Sequence, residues 1–357
     1  MWKIIYSYIF IFSAIASLLL VSVFRQLAIK FKIIDLPQAQ RKIHQTATPL
    51  LGGAAMYAAF TLTIGLNLII VYFASRQGMI PKYIYPYLAG IKSIAPQLIA
   101  ILSTTFILVL MGIYDDIKNL PAWLKLGWEI GLASIVFFSG IKISLFVDNQ
   151  FISWLLTVLW IVGISNAFNL LDNMDGLSSG IALISSVIFF IAAFFAQQFF
   201  VATILACFCG VLIGFLWFNF PPAKVFMGDA GSLFIGYTLS ILTIISTYYT
   251  NSTPTVTPIV MPLLIMAVPI FDTFSVIWIR IKNKQPIFLA DKNHLSHRLL
   301  NRGMSVKQTL FFIYLVNFSI GLGALLLRDL NYQGCYLILI QAVCMIFIIA
   351  LLEGNTQ

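Results

Sequence analysis

The stretch NAFNLLDNMDG, residues 166–176, places three amides and two carboxylates within ten residues. Long apolar runs flank it on both sides, at 151–165 and 181–196. Polar and charged groups cost free energy in hydrocarbon, so those inside an apolar chain usually mark a functional site. The surrounding sequence indicates what kind of site this is.

The composition is that of a membrane protein. Of the 357 residues, 61% are hydrophobic and only 9% are charged, whereas soluble chains carry about 25% charged residues. Repeated apolar runs near twenty residues predict membrane-spanning helices, so we expect an all-α polytopic membrane protein with a single integral-membrane domain over 1–357. We predict eleven spans, at 3–24, 50–73, 96–114, 124–140, 152–168, 178–197, 199–218, 232–249, 257–280, 308–327 and 335–352.

The distribution of Lys and Arg predicts the orientation of these spans. With 25–49 placed in the cytoplasm, fifteen of the 21 basic residues fall on the cytoplasmic side. The N-terminus is then outside, the C-terminus is cytoplasmic, and 281–307 forms a basic cytoplasmic loop. Six acids reach the same face: Asp115, Asp116, Asp172, Asp175, Asp229 and Asp291. The sequence therefore predicts a polar site at the cytoplasmic membrane surface.

Two segments supply the acids in an ordered pattern. MGIYDDIKNLP, 111–121, ends the third span in Asp115 and Asp116, and adjacent carboxylates call for a divalent cation or a basic partner unless they only end a loop in water. In 166–176, polar residues recur every three positions, which lines them along one helix face. Such oxygens suit Mg²⁺ or a nucleobase edge, and the alternative is hydrogen bonding between membrane helices.

A third segment combines small residues with an acid. FNFPPAKVFMGDAGSLFIGY, 218–237, follows Pro221-Pro222 with Gly228 to Ser232. We expect a helix to start at Ser232 with free amides, which would form an anion site. Asp229 beside it would need a cation, so the segment predicts a metal-bridged phosphate. A plain turn with Asp229 as the N-cap is the alternative.

A fourth segment is cationic. DKNHLSHRLLNRG, 291–303, carries His294, His297 and Arg298, a set that suits a diphosphate. Two histidines without a nearby cysteine are a poor zinc site, and the placement of the loop against the spans favours phosphate or anionic lipid over nucleic acid. The four cysteines lie in apolar runs and are expected to be buried.

These segments, in this order, resemble the polyprenyl-phosphate N-acetylhexosamine-1-phosphate transferases, in particular the bacterial branch that starts O-antigen, enterobacterial common antigen or teichoic acid linkage units. Matching stretches also include DLPQAQRKIHQTATPLLGG at 35–53, FDT at 271–273 and PIFLADKNHLSHRLLNRG at 286–303. The resemblance implies a multi-pass protein of the bacterial inner membrane. It would transfer a sugar-1-phosphate from a UDP-N-acetylhexosamine to undecaprenyl phosphate and release UMP, with Mg²⁺ or Mn²⁺. A homodimer stays open.

The resemblance also implies roles for individual residues. Asp229 and Asn169 would hold the metal, and substrate would be bound by Asn166, Asn169, Asp175, Asn219, Phe226, Lys125, Arg41 and His44, with Phe226 stacking on uracil. The catalytic set would be Asp115, Asp116, Asp172, His294, His297 and Arg298. Relatives carry histidine where this chain has Ser296, which argues against the peptidoglycan substrate, phospho-MurNAc-pentapeptide; we expect Ser296→His to be tolerated.

Chemistry at such a site favours direct displacement. The acceptor phosphate is largely dianionic at neutral pH and needs relief from charge repulsion more than a general base. A covalent aspartyl-phosphate route is the rival. A transporter or flippase is the alternative from another class, and the collection of acids at one face disfavours it.

Overall fold

The computed structural model describes residues 1–35, 47–79, 85–144, 148–248, 253–286 and 293–354, and within them the chain is almost wholly helical. The thirteen α-helices are α1 Trp2–Lys30, α2 Gly52–Arg76, α3 Tyr85–Lys118, α4 Ala122–Phe138, α5 Gln150–Leu171, α6 Leu177–Phe195, α7 Phe199–Asn219, α8 Gly228–Ile245, α9 Met261–Ile265, α10 Ala267–Lys282, α11 Leu295–Asn301, α12 Val306–Leu326 and α13 Tyr332–Gly354. A 3₁₀ turn, Thr257–Val260, precedes α9.

Nine of the described helices are long and apolar enough to cross a membrane, which confirms an all-α polytopic membrane protein. A tenth candidate is the pair formed by 257–265 and α10, which is bent by 68°. Helix α4 has 17 residues, about 25 Å at 1.5 Å per residue, which is short for a hydrocarbon core near 30 Å. The count of eleven spans therefore stays a prediction.

The core lies around α7 and α8, whose aromatic side chains are removed from solvent and lipid. Phe208, Phe215 and Phe234 are fully buried, and the Phe208 and Phe234 rings meet edge to face at 5.7 Å. Helix α1 packs closely on α7 because Gly210 and Gly214 present no side chain to it. Tight contact between small residues is the usual source of helix association in lipid.

Close packing of glycines also sets the end of the bundle where α2, α3 and α8 meet. A Cβ on Gly53 would lie 2.1 Å from the Gly231 nitrogen, and one on Gly112 would lie 2.4 Å from the Ala230 Cα. These contacts bring the last turn of α3 against the first turn of α8. A short antiparallel pair, β1 (Ile34–Asp35) with β2 (Thr48–Pro49), covers the same end.

The basic cytoplasmic loop 281–307 stays a prediction, and the structure shows that it includes a short helix, α11. Two other expectations about local structure are wrong. Helix α8 begins at Gly228, four residues before Ser232, because the glycine contacts hold that turn against α2 and α3. Cys344 is exposed on α13, although the other three cysteines are buried.

Candidate functional site

The centre of the site is an ammonium group held between two carboxylates. Lys125, near the start of α4, donates hydrogen bonds from Nζ to Asp115 Oδ2 at 2.5 Å and to Asp229 Oδ2 at 3.0 Å. Asp115 also accepts the Leu120 backbone N–H at 2.6 Å. Lys125 was expected to bind substrate; here it neutralises two acids from α3 and α8, and substrate binding by Lys125 stays a prediction.

Asp116 turns away from Asp115 and meets the first turn of α8. Its Oδ1 accepts the Asp229 backbone N–H at 2.8 Å, so an N-terminal amide of α8 is satisfied by a carboxylate of the protein itself. Gly228 makes this approach feasible, because its φ is +66° and a Cβ there would lie 2.3 Å from Asp116 Oδ2. The expected free anion site at Ser232 is therefore wrong, and Met227 rather than Asp229 is the N-cap residue.

The polar stripe predicted on one helix face extends over two residues only. Helix α5 ends at Leu171, so Asn166 and Asn169 share a face, whereas Asp172 and Asp175 lie in the following turn. Asn169 Nδ2 donates to Asp229 Oδ1 at 3.1 Å and to Ser232 Oγ at 2.9 Å. The Asn169 N–H₂ group thus joins α5 to Asp229 and Ser232 on α8, and the side-chain oxygen of Asn169 takes no part in these two contacts.

Asn166 lies one turn deeper and faces α4. Its Nδ2 donates to Glu129 Oε2 and to the Val162 carbonyl at 3.0 Å. Glu129 is only 2% exposed and stands one helical turn beyond Lys125 on α4. The sequence analysis did not assign Glu129 to the site. The signal was that Glu129 follows Lys125 by four residues inside an apolar run, a spacing that puts both side chains on one helix face.

The turn after α5 brings further acids to the same end. Asp172 is half-buried, and this burial, together with the charges of Asp229, Asp116 and Asp175, raises its pKa well above the ordinary range. Asp175 Oδ2 accepts the Ala223 backbone N–H at 2.9 Å. The carboxylates from α3, α8 and this turn therefore lie close enough to interact, and a cation would relieve their repulsion.

Asn219 holds this turn rather than opening to a cavity. Its Oδ1 accepts the Gly176 N–H at 3.1 Å and the Ser179 hydroxyl at 2.9 Å, and its Nδ2 donates to the Val225 carbonyl at 3.1 Å. It is 2% exposed, so its geometry supports a positioning role, and direct contact with a nucleobase stays a prediction.

Phe226 is half-buried and fixed through its backbone. Its N–H donates to the Pro49 carbonyl at 2.9 Å, and its carbonyl accepts the Gly52 N–H at 3.1 Å. These bonds tie the segment before α8 to the strand β2. The stacking of Phe226 on uracil is not tested by them.

The cationic motif is docked on α10 and on the acidic turn. His294 Nδ1 lies 2.9 Å from Asp272 Oδ2, and the Leu295 N–H donates to Asp272 Oδ1 at 2.7 Å. Arg298 donates from Nη2 to Ser275 Oγ at 2.9 Å, and the His297 ring centroid is 6.5 Å from that of His294.

A buried hydroxyl links the motif to the acids. Ser296 is 1% exposed and donates to Asn173 Oδ1, while Asn173 Nδ2 donates to the Leu170 carbonyl at 2.8 Å. The cationic helix α11 is thereby joined to the turn that carries Asp172 and Asp175. Three residues that the sequence predicts at this face, Arg41, His44 and Asp291, lie outside the described residues.

Magnesium binding stays a prediction, and the described residues offer no closed protein cage for a metal. Within the described residues no group of three or more His, Cys, Asp and Glu could hold a metal ion. Mg²⁺ usually takes one or two carboxylates together with substrate phosphates and waters, and Asp229 can supply such a carboxylate. Asn169 turns its Nδ2 toward Asp229, so metal binding by the Asn169 carbonyl stays a prediction. The Lys125 ammonium already marks a place where positive charge is stabilised.

Comparisons with known proteins show what the chain is similar to. A model of the family described as glycosyl transferase family 4 matches residues 98–247, which include all of α4, α5, α6, α7 and α8 and the second part of α3. The chain is 34% identical, over 97% of its length and 91% of the relative, to a probable undecaprenyl-phosphate N-acetylglucosaminyl 1-phosphate transferase of Bacillus subtilis.

Two further relatives mark the breadth of the similarity. A decaprenyl-phosphate N-acetylglucosaminephosphotransferase of Mycobacterium leprae is 30% identical over 81% of this chain and 75% of its own. A phospho-N-acetylmuramoyl-pentapeptide-transferase of Latilactobacillus sakei is 38% identical, but over only 39% of this chain and 50% of its own. Similarity to the relatives from Bacillus subtilis and Mycobacterium leprae extends over most of the chain, whereas similarity to the relative from Latilactobacillus sakei does not.

Proposed function

The chain belongs to glycosyl transferase family 4, and from that premise we propose that it transfers N-acetylglucosamine-1-phosphate from UDP-N-acetylglucosamine to undecaprenyl phosphate and releases UMP. The relatives that align over most of the chain carry N-acetylglucosamine and a polyprenyl phosphate in their names. The reaction would be the first membrane step of a cell-surface polysaccharide pathway.

The observation that carries the proposal is the convergence of Asp115 and Asp229 on one ammonium group at the end of the bundle. The acceptor phosphate sits on a lipid and the donor is water-soluble, so their reaction requires a site where helix ends meet water. Two phosphate-bearing substrates also repel each other. A site with alternating fixed positive and negative groups can bind them together, because charge stabilisation and positioning are the main contributions to phosphoryl transfer.

We favour a single displacement. An oxygen of the lipid phosphate forms a bond to the sugar-linked phosphorus, and the bond from that phosphorus to the oxygen bridging the two donor phosphates breaks. UMP leaves with the bridging oxygen. Lys125 would attract the incoming anions, and His294 and Arg298 would hold the charge that develops on the leaving UMP. A phosphorylated aspartate trapped in a single turnover would support the rival covalent route instead.

Mg²⁺ is proposed as the cofactor, with Mn²⁺ as a substitute. Asp229 and Asn169 would hold it, with Asp115 or Asp116 helping to place it or the acceptor. When bound, the ion would supply Lewis-acid neutralisation of phosphate charge. Activity should disappear in excess chelator and return with either ion, and a chelator-insensitive enzyme would contradict this part of the proposal.

The placement of the site in the cell follows from the charge distribution. We propose eleven spans, with α4 and the bent pair of 257–265 with α10 both crossing the bacterial inner membrane, an outside N-terminus and a cytoplasmic site. The excess of Lys and Arg on the side of the acids supports this orientation. A homodimer is an expectation that the molar mass of the detergent-solubilised protein tests.

Two other functions are less well supported. A phospho-MurNAc-pentapeptide donor is disfavoured because similarity to that enzyme covers only 39% of this chain. A transporter is disfavoured because the interacting carboxylates gather at one end of the bundle. Glu129 and Asp272 lie deeper, and each is paired, Glu129 with Asn166 and Asp272 with His294.

The test is an assay of purified protein with undecaprenyl phosphate, Mg²⁺ and separate UDP-sugar donors, followed by mass detection of the lipid product. We expect UDP-N-acetylglucosamine to give an undecaprenyl diphosphate sugar, and UDP-N-acetylgalactosamine or a 6-deoxy N-acetyl donor to give less. Product from UDP-MurNAc-pentapeptide alone, or no product from any donor, would overturn the proposal.

A further inference from the structure

Asp272 is a buried acid in α10, and the displacement described above assigns it no step. It is 1% exposed and belongs to the apolar bent pair, where an ionisable group costs free energy and calls for a partner. Both of its oxygens are used on the cationic motif: Oδ2 meets His294 Nδ1 at 2.9 Å, and Oδ1 accepts the Leu295 N–H at 2.7 Å. One carboxylate thus fixes both the ring of His294 and the start of α11.

This arrangement determines which ring nitrogen carries a proton. An ionised carboxylate only accepts hydrogen bonds, so the proton of this contact resides on Nδ1 of His294. Nε2 is then the nitrogen left for another partner, and in the protonated ring Nε2–H is a hydrogen-bond donor. A phosphate oxygen is the partner that such a donor suits.

We propose that Asp272 is a positioning residue, which holds His294 with Nδ1 protonated so that Nε2–H can donate to the diphosphate of the nucleotide substrate. The proposal rests on the transferase function argued above. It gives this buried acid a role through His294 rather than through contact with substrate. It differs from a purely structural role, in which Asp272 would only fasten α11 to α10.

Asparagine at this position separates the two roles. The two donors meet different oxygens of Asp272, and an amide has only one oxygen, so in Asp272→Asn one of these two positions is taken by an N–H₂ donor. If the oxygen keeps Leu295, the amide N–H₂ faces Nδ1 and favours the opposite tautomer. The helix would remain docked through Ser296 and Arg298, while Nδ1 of His294 would lose its carboxylate acceptor.

The experiment is a double-mutant cycle on kcat and on KM for the donor, with Asp272→Asn, His294→Gln and the double variant. We expect Asp272→Asn to lower kcat by about 10²-fold with a smaller change in KM, because the interaction strengthens as charge develops. In the His294→Gln background the same change should alter kcat by less than about twofold, since the two residues act as a unit. Asp329→Asn, a change of an exposed acid at the opposite end of α12, is the matched control and should leave kcat unchanged.

Two results would overturn the proposal. One is an equal loss of kcat from Asp272→Asn in both backgrounds, which would indicate that Asp272 only fastens α11; the other is wild-type kcat in Asp272→Asn. If Asp272→Asn does not fold, Asp272→Leu, which is close in volume and accepts no hydrogen bond, replaces it in the same cycle with the same two criteria. Absence of transfer by the wild-type protein would instead refute the proposed function.

Discussion

Asp229 is held by groups from three helices. A substitution of Asp229 changes the contacts of its side chain but not the contact of its backbone. Its carboxylate accepts from Lys125 on α4 and from Asn169 on α5, and its backbone N–H donates to Asp116 on α3. The backbone bond survives any change of side chain. The residue can therefore lose its charge without losing its place at the start of α8.

We predict that Asp229→Asn lowers kcat by about 10²–10³-fold, the cost of removing one preorganised charge from a phosphoryl-transfer site. The thermal midpoint in detergent should change little, because the amide can still accept from Lys125. The control is Asp148→Asn, because Asp148 is an exposed acid just before the start of α5, at the end of that helix away from the site. Wild-type turnover by Asp229→Asn would refute the assignment of Asp229 to the site.

Lys125 balances two acids, so its removal should affect stability as well as turnover. Lys125→Met keeps much of the side-chain volume but leaves Asp115, which is 5% exposed, without its ammonium partner. Breaking a buried ion pair costs about 3–5 kcal/mol, and the partial exposure of Lys125 reduces this to about 1–3 kcal/mol. We expect a lower thermal midpoint in metal-free buffer; an unchanged midpoint would show that the ion pair contributes little.

Ser296 changes an expectation drawn from the sequence. Histidine looked tolerable there because relatives carry it, but the serine is 1% exposed and bonded to Asn173. A larger side chain in a packed interior costs about 1–3 kcal/mol, and loss of the hydroxyl alone costs about 0.5–1.5 kcal/mol. We now expect Ser296→His to lower the thermal midpoint more than Ser296→Ala does. The reverse order would mean that α11 shifts to make room.

At the scale of elements, the pairing of α1 with α7 depends on two glycines. A Cβ on Gly210 would lie 2.3 Å from the Phe10 carbonyl oxygen, and one on Gly214 would lie 2.7 Å from the Ala14 carbonyl oxygen. Ser17 Oγ donates across the same contact to the Val211 carbonyl at 2.8 Å. Backbone atoms cannot turn aside as a flexible side chain can, so an added methyl group must separate the helices.

We predict that Gly210→Ala destabilises the protein by about 1–3 kcal/mol through this separation, measured as a lower midpoint of thermal unfolding in detergent. Gly163→Ala on α5 is the matched control, because a Cβ there meets nothing within 4 Å and alanine is the better helix former. Equal midpoints for the two variants would contradict the packing described for α1 and α7.

Composition and apolar periodicity predicted most of the helices because a membrane span has a fixed length and few charges. The gathering of acids at one end also followed from sequence, since orientation alone brings helix ends together. The start of α8 could not be predicted from sequence, because it depends on contact between Gly53 and Gly231, which lie in distant parts of the chain. For the same reason the partners of Glu129 and Asp272 were not predictable: each lies on another helix.

At the scale of the whole molecule, a cytoplasmic site and an outside N-terminus require the two ends of the bundle to face different compartments. We predict that Lys3→Cys is labelled by a membrane-impermeant maleimide in intact cells and that Lys224→Cys is not. Both are exposed in the structure, and Cys344→Ser removes the one exposed cysteine of the described residues. Labelling of Lys224→Cys in intact cells would place the carboxylate cluster on the wrong side for a nucleotide donor.

In the proposed reaction, sugar and phosphate move together to a lipid phosphate. This can be measured with UDP-N-acetylglucosamine carrying ³²P only at the sugar-linked phosphate, with undecaprenyl phosphate and the purified protein. We expect the label to appear in the lipid fraction and the released UMP to be unlabelled. Label recovered in a released nucleotide, with sugar on the lipid, would mean transfer of the sugar alone and would refute the proposed reaction.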